Sequence, residues 1–170
     1  DTRTPLRLTG MSRARDLDLN SPRVQATVKL MKDRHVALDT TTMIVERLTL
    51  SRSGQVQAGD APYIEHVPVG YQRYRKRNFV TLSGGDQTDE AYQQSFKVVL
   101  QTMKMLDDNG IQLLPGTDDG TGFSLHRELE LYVAAGISPA KTLKLATLDC
   151  ERYFGRDAEL GSVERGKLAD

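Results

Sequence analysis

The residues best placed for chemistry are Asp118 and Asp119, a carboxylate pair within the stretch GIQLLPGTDDGTGFSLHRELELYVAAG from Gly110 to Gly136. An apolar run, Ile111, Leu113 and Leu114, ends at Pro115-Gly116, and the pair follows at once. After a Gly-rich loop, Leu125, Leu129, Tyr132 and Val133 recur at helical spacing as far as Gly136. The order predicts a buried strand, a polar loop at its C-terminal end and a helix packed back on the strand. In barrels and open α/β sheets such a loop carries the chemistry. Asp118 therefore reads in two ways, as a functional carboxylate or as a turn or helix-capping aspartate. Asp119 reads as a loop or cap residue.

Weaker candidates stand elsewhere. His66 and Arg73 lie in a long aromatic and basic connection that also holds Tyr63, Tyr71 and Tyr74-Arg75-Lys76-Arg77. Basic side chains there either grip a substrate carboxylate or phosphate or face water on a helix. His126 starts the helix beyond Asp118, where packing of the helix start or a hydrogen bond that holds the loop is favoured over metal ligation, with substrate contact a weaker candidate role. His35 enters a strand and is expected to be structural. Asp39 sits mid-strand among threonines, and a buried carboxylate needs partners, so it is either a hydrogen-bonded core residue, the favoured reading, or points at the mouth. Thr42 and Glu46, nearer the strand end, are further substrate-side candidates.

The elements that must position these residues follow from caps and periodicity. Ser21-Pro22 predicts a helix start, with Val24, Val28 and Met31 on one face to about Arg34. Residues 35–45 are short and β-branched, which predicts a strand buried on both faces. Residues 47–86 form a long lid-like connection with a short helix near 71–77. Thr88 or Asp89 starts a helix that Asn109-Gly110 stops. Ser138-Pro139 starts another, and a last short helix closes at Gly155. Residues 1–20 read as loop; residues 156–170 read as turns with a strand beginning. The alternation implies two parallel strands, Val36–Val45 and Ile111–Gly116, adjacent and joined by the helix of residues 89–109.

Composition narrows the function classes. The 170 residues carry 23 Lys+Arg against 23 Asp+Glu. This balance argues against capture of nucleic acid or of an anionic membrane by broad electrostatics. No apolar run approaches the roughly 18 residues of a membrane span. One cysteine, Cys150, leaves no intrachain disulfide and no Cys-rich metal site, and it assigns no compartment. The phosphate-binding motifs GxGxxG and GxxxxGK[ST] are absent, and Gly122-Phe-Ser124-Leu-His126 fails GxSxG at its last position.

Taken together, PGTDDG, then LHRELELYVAAGISPAKTLKLATLDCERYFG, then LGSVERGKLAD resembles the C-terminal third of the amidohydrolase superfamily, with its closest likeness to the imidazolonepropionase-like and prolidase-like branches. The likeness is close over residues 110–170; residues 21–109 follow only by order of elements. It implies the C-terminal portion of a (β/α)8 TIM barrel, an α/β fold whose mouth binds metal. On it, residues 1–170 form part of a metal-dependent hydrolase domain, residues 47–86 an inserted lid, and residues 156–170 the return to a β-sandwich. It makes Asp118 the last-strand carboxylate that binds one or two divalent ions, Zn²⁺ foremost, and takes a proton from the attacking water. The HxH pair and middle-strand histidines of the superfamily have no counterpart here, so most ligands would lie outside this chain. The expected reaction is hydrolysis of an amide or cyclic amide C–N bond of a small or peptide-like substrate. The isolated chain is expected to be inactive and to associate with the rest of its polypeptide or with its own copies. The other reading is a non-catalytic α/β binding or assembly domain in which Asp118 only caps a helix.

Overall fold

The computed structural model describes residues 6–168. In chain order it has α1 (Leu6–Thr9), a 3-10 segment Gly10–Asp16, α2 (Pro22–Asp33), β1 (Leu38–Asp39), α3 (Thr42–Leu50) and a 3-10 turn Ile64–His66. Then come α4 (Val69–Arg75), α5 (Asp89–Asp108), β2 (Leu113–Leu114), α6 (Gly122–Ala134), α7 (Pro139–Ala146) and α8 (Leu148–Tyr153). The fold is mixed α/β. β1 and β2 pair in parallel, Leu38 opposite Leu113 and Asp39 opposite Leu114, as the alternation predicts. The Leu38 amide donates to Gln112 at 2.9 Å and the Thr40 amide to Leu114 at 3.2 Å.

Local capping sets most helix boundaries. The Ser21, Thr88 and Ser138 hydroxyls accept from the amides of Val24, Ala91 and Lys141, and Pro22 and Pro139 occupy first-turn positions. At the end of α5, Gly110 turns left-handed at φ 76°, and the Gly110 and Ile111 amides bond back to Asp107 and Leu106. That exchange closes the helix and aims the chain straight into β2. His35 does the same for α2 at φ 50°, so it is a helix-ending residue rather than a strand residue.

The core forms around β2. Leu113 and Ile111 pack with Val28 of α2, Met103 and Leu106 of α5, Tyr132 of α6, Ile137 and Leu145 of α7. A second cluster, Met43, Phe96 and Leu131, joins α3 to α5 and α6. Burial of such side chains contributes on the order of 1.5–3 kcal/mol each, so these contacts fix where the loop after β2 stands.

Several expectations need correction. The strand expected over residues 36–45 ends at Asp39; Thr41 turns left-handed at φ 41° and Thr42 begins a helix. The cause is the carboxylate of Glu128, which accepts from the amides of Thr42 and Met43 and so caps α3 from a distant part of the chain. Residues 6–16, read as loop, are helical, because Ser95 of α5 donates to the Ser12 carbonyl and accepts from the Arg15 amide. Residues 1–5 lie outside the described residues. Asp39 is exposed rather than a core residue, and its carboxylate lies where a side chain on Gly116 would stand. Residues 47–50 belong to α3, and the rest of the connection carries α4, somewhat earlier than the expected 71–77. Residues 156–168 are turns; residues 169–170, where a strand was expected to continue, lie outside the described residues.

Candidate functional site

The loop between β2 and α6 turns its two aspartates to opposite fates. Asp118 has a left-handed backbone at φ 46°, a region Asp enters more readily than most residues. Its side chain is exposed and has no hydrogen bond or ion pair among the described residues. A free carboxylate at the C-terminal end of a strand can take a proton or bind a cation.

Asp119 faces inward with its side chain 7% exposed. Arg47 of α3 donates from Nη1 to its Oδ1 at 3.2 Å, and Arg75 of α4 from Nη2 to its Oδ2 at 2.5 Å. The Tyr71 hydroxyl donates to Oδ1 at 2.9 Å, and the Ser124 hydroxyl, from the first turn of α6, donates to Oδ2. Burial opposes the charge on Asp119, but Ser124, Arg75, Tyr71 and Arg47 outweigh it and hold the carboxyl below its usual range. Asp60 sits beside the same guanidinium, 3.6 Å from Arg75 Nε, yet its pKa rises, because burial there exceeds the pull of Arg75 and Arg47. Both arginines also stack on rings, Arg47 at 4.6 Å from the Tyr74 centroid and Arg75 at 4.9 Å from that of Tyr71.

A second buried carboxylate lies further along α6. Glu128 is fully buried and accepts from the Thr40 hydroxyl at 2.5 Å, from the Thr42 amide at 3.0 Å and from the Met43 amide at 2.6 Å. Thr40 also meets the Tyr132 hydroxyl at 2.9 Å. Burial pushes the Glu128 carboxyl up, and the Thr40, Met43 and Thr42 hydrogen bonds pull against it. Glu46 of α3 is bound by Arg127 of α6 at 2.6 and 2.9 Å, so it is an ion-pair partner within the fold.

The structure places the other sequence candidates apart from this cluster. His66 follows α3 on the 3-10 turn, Arg73 lies on α4 and His126 on α6; all three are exposed, and none has a side-chain partner among the described residues. Sequence reasoning missed Arg47 and Glu128, and it met Tyr71 and Arg75 only as members of the aromatic and basic patch, not as partners of Asp119. One signal was available for that second pair: Tyr71 and Arg75 are four apart and share a helix face, from which Arg73 points away.

Among the described residues, no group of three His, Cys, Asp or Glu side chains stands close enough together to hold a metal ion. Asp118 fits one oxygen donor of a divalent cation, not its whole shell. A family model described as the amidohydrolase family matches residues 27–170. The chain belongs to the amidohydrolase family. No curated protein and no solved structure matches it. In this amidohydrolase chain, the matched span contains both β strands, Asp118 and the whole Asp119 cluster.

Proposed function

We propose that this amidohydrolase cleaves an amide or cyclic amide C–N bond, with Asp118 as the carboxylate that accepts the proton of the attacking water. The observation that carries the reading is the exposed, unpartnered carboxylate of Asp118 at the C-terminal end of β2. Family membership supports hydrolysis, and the sequence likeness supports the imidazolonepropionase-like or prolidase-like branch. The chain then contributes two neighbouring strands of a (β/α)8 barrel. The apolar groove beside β1, ≈ 170 Å³ and lined by Leu17, Leu38, Val99 and Met103 among others, supports this, because further barrel elements would cover it. Remaining ligands and much of the substrate pocket come from the rest of the polypeptide.

A divalent metal, Zn²⁺ foremost, would be held in part by Asp118 and would supply an acidified water and a Lewis acid for the scissile carbonyl. Asp118 supplies one oxygen donor and a base. Its exposure lets the carboxylate accept the proton and hand it to the departing nitrogen. His66, Arg73 and His126, all exposed, remain candidates for contact with a small amide or peptide-like substrate. Assay of the intact protein against N-acyl amino acids, dipeptides and cyclic amides, before and after chelation, tests the reading. Activity lost on chelation and restored by Zn²⁺ is expected. Activity indifferent to the chelator, or absent for every C–N substrate while an ester is cleaved, contradicts it.

A further inference from the structure

Asp118 and Asp119 are adjacent, yet one is free and the other has hydrogen bonds or ion pairs to α3, α4 and the start of α6. A left-handed backbone is costly for a residue with a Cβ, and it persists only where the surroundings impose it. Among the described residues nothing bonds to the Asp118 side chain, so its conformation is set through the backbone on either side. On the upstream side the chain leaves β2 through Pro115 and Gly116. On the downstream side stands the most heavily bonded carboxylate of the loop.

We infer that Asp119 is a positioning residue: the grip of Arg47, Arg75, Tyr71 and Ser124 on its carboxylate holds residue 118 left-handed and turns the Asp118 side chain out to the solvent. The catalytic consequence rests on the proposed role of Asp118; the backbone consequence does not. The Thr117 hydroxyl reinforces the turn, accepting from the Asp119 amide at 3.4 Å. Arg75 also donates from the same Nη2 to Ser124 at 3.1 Å, so α4 is fastened to the start of α6 through the same knot. Through Tyr71 and Arg75 the connection of residues 51–88 is thereby fastened to the loop that carries the candidate site.

Thermal unfolding of the intact protein tests this through the ranking of glycine and alanine at position 118. A left-handed site favours glycine, whereas an ordinary site favours alanine by restricting the unfolded chain. With Asp119 present, Asp118→Gly should melt above Asp118→Ala by about 1–4 °C. In the Asp119→Asn background the order should reverse. If Asp119→Asn does not fold, the pair Tyr71→Phe and Ser124→Ala loosens the grip while keeping both ion pairs, and the glycine advantage should then shrink by at least about half. An unchanged glycine advantage in the loosened background overturns the inference.

Co²⁺ titration of the same proteins, well below their midpoints, adds a readout that a merely structural role would not move. Asp118→Asn and Asp119→Asn should each weaken Co²⁺ binding by about 10–100-fold, as loss of a ligand and loss of its support do. Where Asp118→Asn does weaken Co²⁺ binding, Asp119→Asn with wild-type affinity and absorption bands, despite a lower midpoint, overturns the positioning role. Asp118→Asn with wild-type affinity removes Asp118 as a ligand but leaves the glycine and alanine ranking to decide the inference by itself.

Discussion

Asp119 and Glu128 are both buried, both are bound by several donors, and both tie α3 to the start or body of α6. Their pKa values shift in opposite directions. The Asp119 carboxylate is met by two guanidinium groups as well as the hydroxyls of Tyr71, Ser124 and Thr121, and its pKa falls. Glu128 is met only by a hydroxyl and two amides, and burial wins, so its pKa rises. At Asp119 the hydrogen bonds of Ser124 and Tyr71 and the two guanidinium charges together outweigh desolvation, whereas neutral donors alone do not at Glu128 and the same two guanidinium groups do not at Asp60. The two anchors also act on different ends of α3: Glu128 caps its N-terminus, and Asp119 holds Arg47 near its C-terminus.

Breaking each anchor separates them. Asp119→Ala should cost about 3–5 kcal/mol, because it strands Arg47 as a buried, uncompensated charge and leaves Arg75 with Asp60 alone. Denaturant unfolding measures it, and a loss under about 1 kcal/mol would mean that rings and water suffice for the arginines. Glu128→Ala should cost about 2–3 kcal/mol, since the Thr42 and Met43 amides lose their acceptor. Smaller still, Ser124→Ala should cost about 1 kcal/mol; a loss as large as that of Asp119→Ala would make the hydroxyl, not the ion pairs, the main support.

The pH dependence sharpens the contrast. The folded pKa of Asp119 lies below its ordinary 3.8, so its contribution is present above that value and disappears as pH falls through the folded value. The folded pKa of Glu128 lies above its ordinary 4.5, so its contribution is full below that value and declines as pH rises through the folded one. The stability gap between wild type and Asp119→Asn should therefore narrow on acidification below about 3.8. The gap for Glu128→Gln should instead widen on acidification towards 4.5. Chemical unfolding between pH 3 and 7 gives both slopes, and slopes of equal sign would contradict the assignment.

What the sequence revealed was what short-range signals encode. Ser21, Thr88 and Ser138 are caps whose partners lie three residues away, and Gly110 ends a helix by its own backbone freedom, so these elements were legible. The parallel pairing of β1 with β2 followed from the alternation of elements. The run Thr40-Thr41-Thr42-Met43-Ile44-Val45 looks like a strand by composition, but Glu128, more than eighty residues downstream, supplies a helix cap there. Asp119 looked like a loop residue for the same reason: its arginines come from elements 72 and 44 residues away. Asp118 stood out in the sequence because its neighbours carry the family pattern; the exposure of its side chain was not legible there.

The central claim concerns the chemistry of Asp118, and the hydrolytic rate of Asp118→Asn in the intact protein tests it most directly. Asparagine keeps the shape and tolerates the left-handed backbone, but it lacks the charge and basicity of the carboxylate. General-base assistance contributes on the order of 10²–10⁴ in rate. An exposed side chain without partners contributes within about 0.5 kcal/mol to stability. The account predicts a fall in kcat of at least about a hundredfold with an essentially unmoved thermal midpoint. A fall of less than about tenfold, measured on the substrate that the intact protein cleaves best, would contradict it.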